Sequence, residues 1–300
     1  MLALTILGNN SAIPAHGRNP TAQVLQTQDE NYLIDCGEGT QVQLSKYKIK
    51  KSKINKIFIS HLHGDHYFGL IGLVTSMGLS GRVSDLHIYG PAMLEQIIQI
   101  HLDAATTTLP YKIYFHIVNK ETEIANDKRI TVKAFKVNHR IECYGFKFTE
   151  IKNPRKIVPE LVKNYEIPEA YYGELQKGKN YTTKRGTIIN NEDVTIAADI
   201  AKSYAYCADT LYDESIAEKV SGVDLIYHET TYLKDLEQRA AERFHSTTTQ
   251  AANIAKLAKA KKLIIGHFSS KYDALDSFLE ETKEVFENTE LAIEGACFKI

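Results

Sequence analysis

Short runs dominated by β-branched and aromatic residues punctuate the chain: LTILG, YLIDCG, KIFISH, LHIYG, IYFHIV, ITVKAFKVNH, YGFKFTE, SYAYCAD, VDLIYH and KLIIGHF. Runs of this length and makeup predict strands. Two segments carry helical spacing instead. PAMLEQIIQIHLDA begins with a proline suited to a first helical turn, and STTTQAANIAKLAKAKK opens with hydroxyl residues and a Gln placed for a capping box. Strand runs on both sides of helices, without strict βαβ alternation, predict an α/β fold of two mixed sheets packed face to face with helices outside. One region breaks both rhythms. From Ile151 to Asn191, proline, glycine, tyrosine and lysine mix without sustained periodicity. A stretch that long inside a compact domain reads as a functional insertion.

Composition adds little to that outline. At 300 residues, 43% hydrophobic and 24% charged, the chain could make one large domain or two small ones, with the makeup of a globular protein able to bury a sizeable core. No apolar run approaches the ~20 residues of a membrane span, and LALTILG after Met1 is too short for a signal sequence. Cys36, Cys143, Cys207 and Cys297 show no CxxC spacing and read as thiols in a reducing compartment, so the expected location is cytoplasmic. The net charge of −1 announces no nucleic-acid partner, but local charge does. KYKIKKSKINK, Lys46 to Lys56, holds six lysines and no acid, and Lys152 to Arg185 holds eight basic residues against four acidic ones. Such blocks bind phosphate backbone or simply form solvated faces.

The chemistry concentrates in FISHLHGDHYFGL, Phe58 to Leu70. Side chains two apart share a face in an extended segment, so His61 and His63 can converge on one point while Asp65 and His66 converge on another. That suits two neighbouring metal ions. Imidazole with carboxylate favours zinc, or manganese and iron at the harder end, and the absence of cysteine argues against a closed structural zinc site. Four donors cannot fill two coordination shells, and several strands end on ligand-type residues: His139, Asp209, His228 and His267. Asp209 could bridge two metals and His139 complete one shell; spacing alone leaves the other to His267 or His228. His87 and His116, within strands, and His101, within a helix, read as structural histidines.

With these residues assembled, the chain resembles the metallo-β-lactamase superfamily, and within it ribonuclease Z in its short form. The resemblance is carried by HLHGDH and by LGNNSAIPAHGRNPTAQVL, YLIDCGEGTQ, CADT, YHETTY and FHSTTTQAA, which together span nearly the whole chain. It implies an αββα sandwich, two zinc ions per chain with manganese as an alternative, and removal of the 3′ trailer from precursor tRNA. Its ligand set is His61, His63 and His139 on one metal, Asp65, His66 and His267 on the other, with Asp209 bridging. It further implies Asp65 as proton acceptor, His245 as general acid and Glu229 orienting it, where a loop histidine and a surface carboxylate would be the plain alternatives. For substrate it points to Arg18 and Asn19 in the GRN loop, and to Tyr172, Gly173 and Lys177 in a tRNA-clamping arm at about residues 151–191. In that arm Glu169 and Ala170 stand where the family carries Gly-Pro, and Gln176 stands at a usually basic position. Family members are homodimers. The competing readings are a hydrolase of small phosphodiesters or aryl sulfates and a non-catalytic RNA-binding scaffold.

Overall fold

The computed structural model describes residues 2–151, 153–198 and 200–300, which divide into two compact units. The first comprises residues up to Asp127, Thr131–Phe148 and Lys202–Ile300. The second comprises Lys128–Ile130 and Thr149–Ala201.

The first unit holds two seven-stranded sheets. One runs Cys297–Lys299, Ala3–Gly8, Ala22–Gln26, Asn31–Ile34, Ile54–Phe58, Leu86–Gly90, Ile113–Ile117. The other runs Thr289–Leu291, Lys262–Gly266, Leu225–Glu229, Ser203–Cys207, Tyr144–Glu150, Ile130–Lys136, Thr122–Asn126. Both are mixed, so all ten predicted runs are strands and the expected architecture holds. The sheets meet through rings: Phe58 packs against Phe146 and Phe148, with centroids 5.5 and 5.2 Å apart, and Tyr32 against Phe148. Alternation does the rest. Leu33, Ile57 and Ile88 point to the other side of their sheet and are covered by Leu70, Leu73 and Val74 of the helix Leu70–Leu79 and by Leu94 and Ile98 of the helix Met93–Ala104. The second predicted helix, Thr248–Leu257, has the anticipated capping box between Thr247 and Gln250.

Parallel neighbours bring several strand ends to one edge. Ile34 pairs with Phe58, Cys207 with His228, and Glu229 with Gly266, so the segments that follow these strands emerge side by side. Two glycines let the loops there close up. A Cβ on Gly69 would lie 2.1 Å from the Gly37 carbonyl oxygen, and one on Gly37 would lie 2.5 Å from the Asp65 carbonyl oxygen. The turn after Asn31–Ile34 is thereby locked onto the HLHGDH turn, with Cys36 N–H donating to the His66 carbonyl at 2.7 Å and Gly69 N–H to that of Cys36 at 2.9 Å. This is why CGEG accompanies HLHGDH. Among the described residues, no helix is long and apolar enough to cross a membrane.

The second unit has its own small core of Val162, Ile167, Leu175, Ile189 and Val194. Its elements are brief, the helices Pro159–Asn164 and Tyr172–Gln176 and strand pairs of two residues each.

Because the Gly69–Gly37 approach is backbone against backbone, Gly69→Ala should destabilise the fold by about 1–3 kcal/mol. Denaturant midpoints of the two proteins measure this, and an unchanged midpoint would contradict the close approach.

Candidate metal and catalytic site

The six residues of HLHGDH straddle the end of the buried strand Ile54–Phe58 and a single helical turn, Gly64–Tyr67. The strand end delivers His61, and the turn swings Asp65 and His66 back toward it. His139 follows Ile130–Lys136, Asp209 follows Ser203–Cys207, and His267 follows Lys262–Gly266. Their donor atoms converge in two groups: His61, His63, His139 and Asp209, and Asp65, His66, Asp209 and His267, each within 4.8 Å. Asp209 belongs to both. His228 belongs to neither; it is fully buried and its Nδ1 donates to the Glu229 carbonyl at 2.6 Å. His87 and His116 hydrogen-bond each other at 2.9 Å on neighbouring strands, and His101 Nδ1 bonds the Ile97 carbonyl within its helix.

The hydrogen bonds behind the donors fix how they face. The carboxylate of Asp35, fully buried, accepts from Ser60 N–H at 2.8 Å, Ser60 Oγ at 2.8 Å, His66 Nδ1 at 2.7 Å and Tyr206 Oη at 2.6 Å. With Ser60 Oγ donating to Asp35, His61 Nδ1 donates to Ser60 Oγ at 3.0 Å. His139 Nδ1 donates to the Phe244 carbonyl at 2.9 Å. Thr231 Oγ1 donates to Glu229 at 2.8 Å, so His267 Nδ1 donates to Thr231 at 2.9 Å. Each Nδ1–H is thus spent on the scaffold, and the Nε2 atoms of His61, His66, His139 and His267 present lone pairs inward. Those lone pairs crowd one another. His66 Nε2 lies 3.3 Å from His267 Nε2, and His63 Nδ1 lies 3.1 Å from both His61 and His139 Nε2. Asp209 Oδ1 is buried without a hydrogen bond. Facing lone pairs beside an unsatisfied carboxylate oxygen are what a cation between them resolves, and holding the back of each imidazole is the usual way of preparing such donors.

Electrostatics agree. Burial and the neighbouring His66 push His61 well below the ordinary imidazole range, and burial with His139 pushes His63 down to about 4. Both therefore favour the neutral form. Burial also weighs against charge on His66, but Asp209, Asp65 and Asp35 outweigh it and raise it well above its usual value, so its inward Nε2 offers a lone pair only when a cation displaces its proton. Burial would likewise lift Asp209, yet His267 and His66 hold it well below the carboxylate range. The acidic half of the cluster demands positive charge.

His245 stands beside the donors, its ring centroid 5.4 Å from those of both His139 and His267. It follows the helix Glu237–Arg243 through Phe244, whose φ of 58° is left-handed. Its Nδ1 donates to Glu229 Oε1 at 3.0 Å. Glu229 also accepts from the backbone N–H groups of Thr210, Ser246 and Thr231. Burial opposes charge on His245, but the Glu229 carboxylate outweighs it and raises the pKa. The imidazolium is favoured and its Nε2–H is free for the pocket. A cavity of about 510 Å³ opens over this cluster, reaching Asp65, Asp209, His245 and His267 and rimmed by Arg140, Arg239 and Arg243.

The remaining anticipated residues are placed differently. Arg18 directs its guanidinium to Asn10 Oδ1 at 3.0 Å and to the carbonyls of Asp273, at 2.8 Å, and Tyr272. Asn19 is held by Glu294 through its backbone and side chain. Their loop nevertheless touches the cluster, because Ala12 N–H donates to Asp65 Oδ2 at 2.7 Å. Tyr172, Gly173 and Lys177 lie in the second unit, where Tyr172 packs on the small core and Lys177 pairs with Glu174 at 2.8 Å. Sequence reasoning missed Asp35, Ser60, Tyr206 and Thr231. Asp35 carried a readable signal, since it ends the YLID strand just as Asp209 and His267 end theirs.

A two-sheet αββα sandwich with this His/Asp cluster at the strand ends defines a metallo-β-lactamase-fold protein. Comparison narrows the class. The chain is 42% identical over 299 residues to a ribonuclease Z of Bacteroides fragilis, covering 99% of this chain and 98% of that one, and 40% identical over 286 residues to a ribonuclease Z of Porphyromonas gingivalis, covering 95% and 94%. It therefore belongs to the ribonuclease Z family. Human tRNase Z, short form, superposes with a TM-score of 0.73 at 27% identity over 99% of both chains. The metallo-β-lactamase fold protein YhfI of Bacillus subtilis shares the fold at 21% identity and TM-score 0.70 over both full chains. A family model described as Anti-Pycsar protein Apyc1 matches residues 2–158, the part that carries HLHGDH and His139.

Asp35→Asn places an amide N–H where donors already point, so it should cost about 3 kcal/mol of stability and weaken metal binding about 10- to 100-fold. Metal titration of the purified variant reads the second effect; unchanged affinity would show that Asp35 does not hold the histidines.

Proposed function

We propose that this chain is a metal-dependent endoribonuclease that removes the 3′ trailer of precursor tRNA, leaving a tRNA 3′-hydroxyl and a trailer 5′-phosphate. The observation that carries it is the convergence of seven inward-facing donors beside an imidazolium-favouring His245, in a chain that matches ribonuclease Z along almost its whole length. In this reading His61, His63 and His139 would hold one zinc ion and Asp65, His66 and His267 a second, with Asp209 shared between the two groups; manganese would suit the same donors. When bound, the ions supply an acidified water as nucleophile and neutralise charge at the phosphoryl group. Asp65, whose Oδ2 is held by Ala12 N–H, takes the water's proton. His245, held by Glu229, protonates the leaving O3′ through Nε2. Arg18 and Asn19 act by bracing the loop that carries Ala12.

The second unit is the proposed arm. Glu174 occupies two of its cations, Lys177 and Lys179, while Lys184 and Arg185 sit exposed on a turn beside a cavity of about 840 Å³. Tyr172 and Gly173 open the helix Tyr172–Gln176 of the same unit. A small-ester hydrolase or a bare RNA-binding scaffold has no use for both this unit and a complete donor set. A homodimer is the assembly proposed for it, and four free cysteines support a cytoplasmic location.

The purified protein with zinc or manganese should cut precursor tRNA at the trailer junction, and chelation should abolish this. His245→Ala should slow that cleavage about 10²- to 10⁴-fold, because the leaving alkoxide is basic, yet slow bis-p-nitrophenyl phosphate hydrolysis far less. Equal losses would mean that His245 is not the acid; no cleavage of precursor tRNA by the wild type would sink the proposal itself.

Reversing charge with Lys184→Glu and Arg185→Glu should raise KM for precursor tRNA and lower its log–log salt slope by about 0.7–0.9 for each phosphate no longer neutralised. An unchanged slope would remove these two residues from the tRNA interface.

A further inference from the structure

Two of the three arginines rimming the catalytic cavity have a direction built into their position. We propose that Arg239 and Arg243 form the binding site for the backbone phosphates immediately 5′ of the cut, on the strand that departs with the free 3′-hydroxyl. The inference rests on the endonuclease reading and adds a polarity to it.

Cleavage that leaves a 3′-hydroxyl breaks the bond between phosphorus and O3′. Water's oxygen joins phosphorus, its proton passes to Asp65, the electron pair of the broken bond goes to O3′, and O3′ takes the proton from His245. In-line displacement places the attacking and leaving oxygens on opposite sides of phosphorus. O3′ belongs to the last nucleotide of the tRNA body, so the tRNA lies on the His245 side and the trailer on the other. The helix Glu237–Arg243 runs straight into His245, whose backbone N–H caps it by donating to the Ala240 carbonyl at 2.9 Å. Whatever that helix turns toward the cavity therefore meets the tRNA side.

It turns two arginines. Arg239 and Arg243 are four apart, share one helical face about 6 Å apart along the axis, and both line the cavity. Among the described residues, no carboxylate forms an ion pair with either. The acids of the same helix are engaged by amides, Glu237 by Gln250 at 3.1 Å and Glu242 by Gln238 at 3.0 Å, and the cavity's Asp65 and Asp209 face imidazoles. Arg239 lies over the ring of Tyr232, 5.9 Å from its centroid, which steadies the side chain while leaving its N–H fork open. Two guanidinium groups one helical turn apart, neither neutralised by a carboxylate, match successive phosphates of a single strand, each bound bidentately.

The test pairs protein and substrate changes. Precursor tRNAs carrying a neutral methylphosphonate at the first or second phosphate 5′ of the cut, or at the matching 3′ positions, are assayed with the wild type and with Arg239→Gln/Arg243→Gln. On unmodified RNA the double variant should raise KM about 10- to 100-fold and lower the log–log salt slope by about 0.7 per arginine. Methylphosphonates 5′ of the cut should raise the wild-type KM and cost the variant little more, whereas those 3′ of it should cost both proteins equally. Should the glutamine variant melt early, Arg239→Lys/Arg243→Lys carries the test, because it keeps the charge and salt slope but loses the fork and part of the affinity. Strictly additive losses with 5′ methylphosphonates, or coupling to the 3′ ones, would overturn the proposal. Trailer cleavage by the wild type in the same assays separates that outcome from a failure of the endonuclease reading.

Discussion

Much of the molecule hangs on the buried carboxylate of Asp35. Four donors converge on it from the HLHGDH segment and from Tyr206 on the opposite sheet. A buried charge is tolerable only when so thoroughly hydrogen-bonded. Once satisfied, it does three things together: it ties the sheets at their working edge, sets the tautomer of His66 directly and that of His61 through Ser60, and supplies negative charge behind the imidazoles of the candidate metal site. The φ of 53° at Asp35 is the local strain accepted for aiming it. His267, at φ 64°, accepts the same strain across the site.

Glu229 is the counterpart on the second sheet. One oxygen holds His245 and the other holds Thr231, which in turn orients His267. The proposed proton donor and one of the candidate metal donors are therefore set by one carboxylate, and a substitution at Glu229 disturbs both. The same strand explains why His228 stands apart from the cluster that His267 joins. Successive side chains along Leu225–Glu229 point to opposite faces, so once Glu229 faces the site His228 must turn away, into the position where its Nδ1 meets backbone. That parity was available in VDLIYHE, but only to a reader who already knew which of the two adjacent residues did the work.

The legibility of the rest divides along similar lines. Strands were readable because each is a short run buried on at least one face, and donors were readable because they stand where such runs stop. Asp35 meets the same criterion but is not itself a candidate donor; it holds the imidazoles that are. The second unit resisted because helices of five or six residues and strands of two span fewer than two periods of the pattern that would reveal them. The helix Leu70–Leu79 escaped for the opposite reason: it is apolar along most of its length, buried at Leu70, Leu73, Val74 and Met77 while Leu79 is exposed, so no polar face announced it.

Charge was the least legible quantity, because its meaning lies in position. The lysine-rich segment from Lys46 to Lys56 reads in sequence as a candidate RNA contact, yet it enters the strand Ile54–Phe58 whose far end leads to His61, which puts it at the opposite end of that strand from the chemistry. Lys56 is moreover consumed by Glu30 and Asp127, each at 3.0 Å. Arg239 and Arg243 attract no notice in EQRAAERF, where acids and bases alternate and nearly cancel. Folding undoes that cancellation. Gln238 and Gln250 hold the acids without neutralising them, while the helix turns both guanidinium groups toward the cavity, so a segment of little net charge presents two cations beside His245, on the side proposed for the leaving strand.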